Sequence, residues 1–166
     1  VGRVWTPEEL QGLAKICLRH NVIIISDEIH MDFARPGFSH TSLATLGEDV
    51  LNASVICTSA GKTFNLAGLQ VSNIIIPNDL LRARFNKAKA AAGYSQLNTL
   101  GLLATQTCYE KGGEWVDKLK EYLEGNWQLL ENHLNTYAPQ LHLIPAQSTY
   151  LAWIDCRALG LFGSDL

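Results

Sequence analysis

The chain has 166 residues, enough for one ordinary domain with a buried core. Hydrophobic residues make up 47% and charged residues 17%, a globular balance that excludes disorder and coiled coil. Thirteen basic against sixteen acidic residues leave a net charge of −3 with no basic stripe, which argues against a nucleic-acid partner.

The first element is a helix with its start written out: Thr6 as cap, Pro7 in the first turn and Glu9 placed to complete a capping box. Leu10, Leu13, Ala14, Ile16, Cys17 and Leu18 recur at helical spacing until His20-Asn21 stops it. Val22–Ser26 is a β-branched run that predicts a strand buried on both faces. The polar stretch from Asp27 to Ser42 reads as loop, and after a short connection Ser54–Thr58 predicts a second buried strand. A small-residue turn, Ser59-Ala60-Gly61-Lys62, follows it, and Val71–Ile76 predicts a third strand closed by Pro77. The second half is helical: Asp79–Ala92 capped by Asn78 and ended by Gly93, then Leu97–Glu110, then a long amphipathic helix from Glu114 to about Tyr137. Leu141–Ile144 and Tyr150–Ile154 suggest strands of a smaller unit. This order is the grammar of an α/β fold, with a domain boundary expected near residue 118: residues 1–118 in a larger domain and 119–166 opening a smaller one.

Uncharged apolar runs such as Val22–Ile25 are far too short to span a membrane, and VGRVWTPEEL has no signal-peptide pattern. Cys17, Cys57, Cys108 and Cys156 form neither a zinc motif nor a dense disulfide framework, so free thiols in a reducing cytoplasm, and no metal, are expected. A first residue Val and the uncapped end ALGLFGSDL give the expectation of an internal piece of a longer chain.

Two strand ends carry the chemistry. Ligands of an open α/β sheet bind beyond the carboxyl ends of its strands. Asp27 follows the first strand at once, and Lys62 follows the second by a short turn. A carboxylate and an amine delivered this way suit pyridoxal 5′-phosphate, whose aldehyde bonds to a lysine and whose ring nitrogen needs an acid partner. Each residue also has a plain alternative: Lys62 a solvated amine, Asp27 a turn cap, and Ser59 a turn hydroxyl bonded to its own backbone. Glu28 and Asp32 read as structural or solvated, the tryptophans at 115, 127 and 153 as packing, and the cysteines as small core residues.

Ser59-Ala60-Gly61-Lys62-Thr63-Phe64-Asn65-Leu66-Ala67-Gly68-Leu69 closely resembles the cofactor-lysine motif of the fold-type I pyridoxal-phosphate enzymes, the aminotransferase class I/II superfamily. Ser26-Asp27-Glu28-Ile29-His30-Met31-Asp32 resembles the aspartate motif of one branch, the cystathionine β-lyases (cysteine-S-conjugate β-lyases) of the MalY/PatB type. Gly113-Glu114-Trp115, Glu124-Gly125-Asn126 and Thr149–Asp155 look like the same branch. The resemblance implies a partial cofactor-binding large domain, its sheet mainly parallel, plus the start of the small C-terminal domain. It implies Lys62 as the covalent anchor and proton carrier, Asp27 on the ring nitrogen, His30 near the phenolic oxygen and Ser59 on the phosphate. It further implies an amino-acid substrate, a homodimer at full length, and C–S β-elimination to a thiol, pyruvate and ammonia. An aminotransferase shares every early step and is the close alternative; a non-catalytic binding or regulatory domain is the alternative of another class. Two positions depart from the wider family: Gly61 replaces a common hydroxyl residue, and Gln70 a common phosphate-binding arginine. Tyr94-Ser95-Gln96, after a helix stop, could face cofactor or partner subunit.

Overall fold

A computed structural model describes residues 2–94 and 96–160. Ser95 and the last six residues, on which the cofactor-or-partner reading and the uncapped end bear, lie outside the described residues.

Helix α1, Pro7–Arg19, begins as its sequence predicts: Thr6 accepts from the Glu9 N–H, and the Glu9 carboxylate accepts from the Thr6 N–H. Strand β1 spans Ile24–Asp27, so Asp27 is the last residue of the strand rather than the first beyond it. Strand β2, Ser54–Thr58, lies parallel to β1, with Ile24 opposite Ser54 and Asp27 opposite Cys57. Between them the chain makes two single 3₁₀ turns, Met31–Phe33 and Leu43–Thr45, and the short helix α2, Glu48–Asn52. Beyond β2 come the one-turn helix α3, Ala60–Thr63, a 3₁₀ turn at Ala67–Leu69, and strand β3, Asn73–Ile75. β3 pairs antiparallel to β2 because α3 and the turn after it fold back at the same end of the sheet instead of crossing a face.

One face of this three-stranded sheet is covered. Ile24 and Ile56 pack there with Ala14 from α1, Val50 from α2 and Leu43, all under a tenth exposed. The other face is not covered by described residues: Ile25, the next residue on β1, is 72% exposed. The expectation of a strand buried on both faces is therefore corrected. Side chains alternate along a strand, so Asp27 shares the open face with Ile25.

Helices α4 (Asp79–Ala91) and α5 (Thr99–Lys111) are capped by the Asn78 and Asn98 side chains. Gly112 ends α5 and starts α6, Gly113–Tyr137, which continues without a break through residue 118. A two-stranded sheet closes the described chain: β4, His142–Leu143, antiparallel to β5, Ile154–Asp155. Residues 150–153, expected as strand, lie outside the ladder, with only the Trp153 carbonyl continuing it by accepting from the Ile144 N–H at 2.9 Å.

The segment between β4 and β5 returns to the first half. Ser148 bridges Ala34, and the Gln147 and Ser148 N–H groups both donate to the Gly2 carbonyl. Gly2 sits at φ +77°, and a Cβ there would press on Ala146, so glycine is required for this approach. Arg35 clamps the same junction: its guanidinium grips Glu124 of α6 with two bonds of 2.8 and 3.0 Å, donates to the Ala146 carbonyl, and lies over the Trp127 ring.

Candidate active site

The parallel register of β1 and β2 delivers two turns side by side at one end of the sheet. The first starts at Asp27 and carries His30; the second starts at Ser59 and carries Lys62. Asp27 and His30 line an open hollow of about 410 Å³, and Ser59, Gly61 and Lys62 line a neighbouring one of about 270 Å³ with Gln70 and Ile29. A hollow of about 530 Å³ between residues 33–38 and α6 is roomier but contains none of these four residues. Chemistry, not volume, marks the site.

The polar atoms around the two turns divide into those with protein partners and those without. Asp27 Oδ1 accepts from the Ile29 N–H at 3.2 Å, a local turn bond, and Oδ2 has no protein partner among the described residues. Lys62 is exposed and makes no ion pair among them. His30 Nδ1 is buried without a hydrogen-bond partner. Burial, and then the Lys62 charge, hold the His30 imidazole below its ordinary pKa, with Asp27 pulling the other way. His30 thus lies within electrostatic reach of both charged residues. A buried polar atom costs free energy when unpaired. An orphaned imidazole nitrogen, a free carboxylate oxygen and a free amine at one strand end fit a polar aromatic aldehyde such as pyridoxal phosphate.

Ser59 is placed differently. Its Oγ accepts from the Gly61 N–H at 2.9 Å, capping α3, and donates its one proton to the Val71 carbonyl at 2.7 Å. In this arrangement it has no hydrogen left for a phosphate oxygen. Gly61 is buried, and a Cβ there would stand 3.0 Å from Ser59 Oγ and 3.4 Å from the Ala67 Cα.

Sequence reasoning passed over the contacts of Tyr150, Thr149 and Thr63, and read Glu28 and Asp32 as structural or solvated. Tyr150 lies tilted beside His30, with ring centroids 5.3 Å apart, and meets Phe33 edge-on at 4.9 Å. It is aimed there by Thr149, a β-branched residue at φ +74° held by bonds from its N–H to Phe33, to its carbonyl from Trp127, and to its Oγ1 from the Leu151 N–H. Such a conformation costs about 1–3 kcal/mol and persists only when overdetermined. Asp32 accepts from buried Thr63, the residue after the lysine. Glu28, only 4% exposed, accepts from Ser26, from Leu43 N–H and from His40, fastening the 40–43 segment behind Asp27. Burial pushes its carboxyl up, but those bonds together hold it below the ordinary value. Sequence signals existed for Glu28, Asp32 and Thr63, because each lies inside one of the two motifs.

Residues 1–164 match the family aminotransferase class I and II. The chain is 41% identical over 165 residues to cystathionine beta-lyase PatB of Bacillus subtilis, covering 99% of this chain and 43% of that protein. It superposes on cystalysin of Treponema denticola, a crystal structure containing a pyridoxal 5′-phosphate cofactor, with a TM-score of 0.93 at 36% identity, over 96% of this chain and 41% of that one. On the pyridoxal-phosphate-bound C-S lyase of Staphylococcus hominis the TM-score is 0.84 at 37% identity, over 94% of this chain and 39% of that one. The chain therefore spans about two fifths of the length of these relatives.

Proposed function

The chain belongs to the aminotransferase class I and II family, and from that premise we propose that the protein it forms part of is a pyridoxal-phosphate-dependent C–S β-lyase. The net reaction converts a cysteine S-conjugate such as cystathionine, plus water, into a thiol, pyruvate and ammonium. The observation that carries this reading is the set of unpartnered groups at Asp27, His30 and Lys62, on a fold whose named relatives are lyases of this kind.

Pyridoxal phosphate, when bound, supplies an aldehyde for covalent attachment and a ring that takes up the electron pair left when a Cα–H bond breaks. Lys62 Nζ is the group to hold it and to take the proton from the substrate Cα. Asp27 Oδ2 is the acceptor that keeps a proton on the ring nitrogen, and a carboxylate does this where a neutral group cannot. His30, held in its neutral form by burial and by Lys62, is suited to hydrogen-bond the phenolic oxygen through Nδ1. Ser59 would reach the phosphate by turning its hydroxyl away from Val71. The leaving group at Cβ is a thiolate, whose departure needs no further proton donor from this segment.

The full-length protein is further proposed to be a homodimer, supported by apolar side chains left open on α5 (Leu100, Leu102 and Leu103). Free thiols at all four cysteines support a reducing compartment such as the cytoplasm. None of the described helices is long and apolar enough to cross a membrane. The boundary between large and small domains is proposed near residue 118, inside α6, whose start stacks Trp115 on Phe64 and whose Trp127 donates to the Thr149 carbonyl.

The test uses the full-length enzyme with cystathionine or an S-alkylcysteine and no added keto acid. Pyruvate and ammonia should accumulate over many turnovers per cofactor. A single half-reaction that stalls until an α-keto acid is supplied would establish the aminotransferase instead.

A further inference from the structure

We propose that the hydrogen bond from Thr63 to Asp32 is a positioning device that sets the distance between the Lys62 turn and the His30 turn; this rests on the reading of those residues as the cofactor site. Thr63 is 1% exposed, and its Oγ1 donates to Asp32 Oδ2 at 2.6 Å, the length of a charge-assisted bond. The two turns separate at the strand ends, where the Glu28 N–H donates to the Cys57 carbonyl at 2.8 Å. Beyond that point, among the described residues, Thr63–Asp32 is the only hydrogen bond joining residues 28–33 to residues 59–66.

The result is a closed ring of chain. One end is tied by the backbone bond at the sheet and the other by the side-chain bond. Lys62 is next to the far tie on one side, and His30 is two residues from it on the other. Without that tie the lysine would rest on a helix of four residues and its Ser59 cap. The Phe64–Trp115 stack, with centroids 5.6 Å apart, anchors the same turn toward α6 and leaves its distance to His30 free. The charge on Asp32 is committed to Thr63, since Asp32 makes no ion pair among the described residues. Asp32 and Thr63 touch no reacting atom; they act through Lys62 and His30.

The test compares Thr63→Val, Thr63→Ser and Asp32→Ala in the full-length protein loaded with pyridoxal phosphate. Thr63→Val should shift the pH midpoint of the lysine-bound cofactor absorbance. It should lower kcat about tenfold to a hundredfold with little change in KM, the scale of a small misplacement of reacting groups. Thr63→Ser, which keeps the hydroxyl, should return both to wild-type values. Asp32→Ala should reproduce the valine variant, and the double variant should be no worse than either. A folded Thr63→Val with wild-type midpoint and kcat, a serine variant as impaired as valine, or additive losses in the double variant would overturn the proposal. A wild-type protein that never develops the absorbance would instead remove the cofactor reading. Amide exchange across residues 60–64 without cofactor then still decides on the tie: faster exchange in Thr63→Val supports it and unchanged exchange overturns it.

Discussion

Lys62 has no protein partner among the described residues and stands beside a hollow with Ser59 and Gln70, so its amine is available for covalent chemistry. Borohydride reduction of the loaded full-length enzyme should leave a pyridoxyl label on Lys62, and Lys62→Ala should lose both label and turnover. A label on Lys15, Lys87 or Lys89 would displace the assignment. Asp27→Asn should still bind cofactor but slow Cα deprotonation, since a bond to a charged group is worth about 1.5–3 kcal/mol, roughly a tenfold to hundredfold effect before any loss of ring activation. Unchanged kcat in Asp27→Asn would leave Asp27 only its turn bond to Ile29. Glu28 has a stability role with a definite pH signature. Its folded pKa lies below its unfolded one, so its contribution is complete above the ordinary carboxylate value of 4.5 and fades as pH falls through the folded pKa. Glu28→Ala orphans the Leu43 N–H and should cost about 1–3 kcal/mol at neutral pH. Urea melts at decreasing pH should show the gap to wild type closing below about pH 4.5; a pH-independent gap would mean that packing, not the carboxylate's bonds, is what was lost.

At the scale of elements, the lysine turn is held from three sides: by β2 beneath it, by Asp32 across from it, and by α6 through the Phe64–Trp115 stack. The α5–α6 junction makes that last contact possible because Gly112 has no side chain. A Cβ there would overlap the Phe64 ring edge and the Cys108 carbonyl oxygen. Gly112→Ala should therefore destabilise the fold by about 1–3 kcal/mol, as overpacking does. Calorimetry of the full-length protein checks this, and a neutral substitution would show that the junction yields easily. The Arg35–Glu124 clamp plays the matching part between the first half and α6. The Glu124 carboxylate, below its ordinary pKa mainly through its bonds to Arg35, is charged across the whole neutral range.

At the scale of the molecule, the described residues of the 166-residue chain keep one sheet face packed and leave the other open. Ile25 is 72%, Leu80 79% and Leu100 71% exposed, on three separate elements. Apolar surface of that extent favours association. The chain produced alone should self-associate with rising concentration in light scattering, and should turn over no S-alkylcysteine. A monodisperse monomer with the activity of a full-length relative would contradict this.

Sequence alone determined what depends on near neighbours. The capping box of α1, the span of β2, the Asn78 cap of α4 and the break between α5 and α6 all arise from bonds and backbone preferences within a few residues, whereas the Asn98 cap of α5 lies inside the helix expected from Leu97. The two motifs were legible by their resemblance to a known family, and the proposal of Lys62 and Asp27 rests on it. Tertiary structure alone decided the contacts between distant residues: Thr63 with Asp32, 31 positions apart; Ser59 with Val71, 12 apart; and Tyr150 against His30. It also decided that β3 runs antiparallel and that Ile25 faces outward. Periodicity reports which residues are apolar and how they alternate. It does not report which turn a hydroxyl proton reaches, because that depends on where strand pairing places two turns in space.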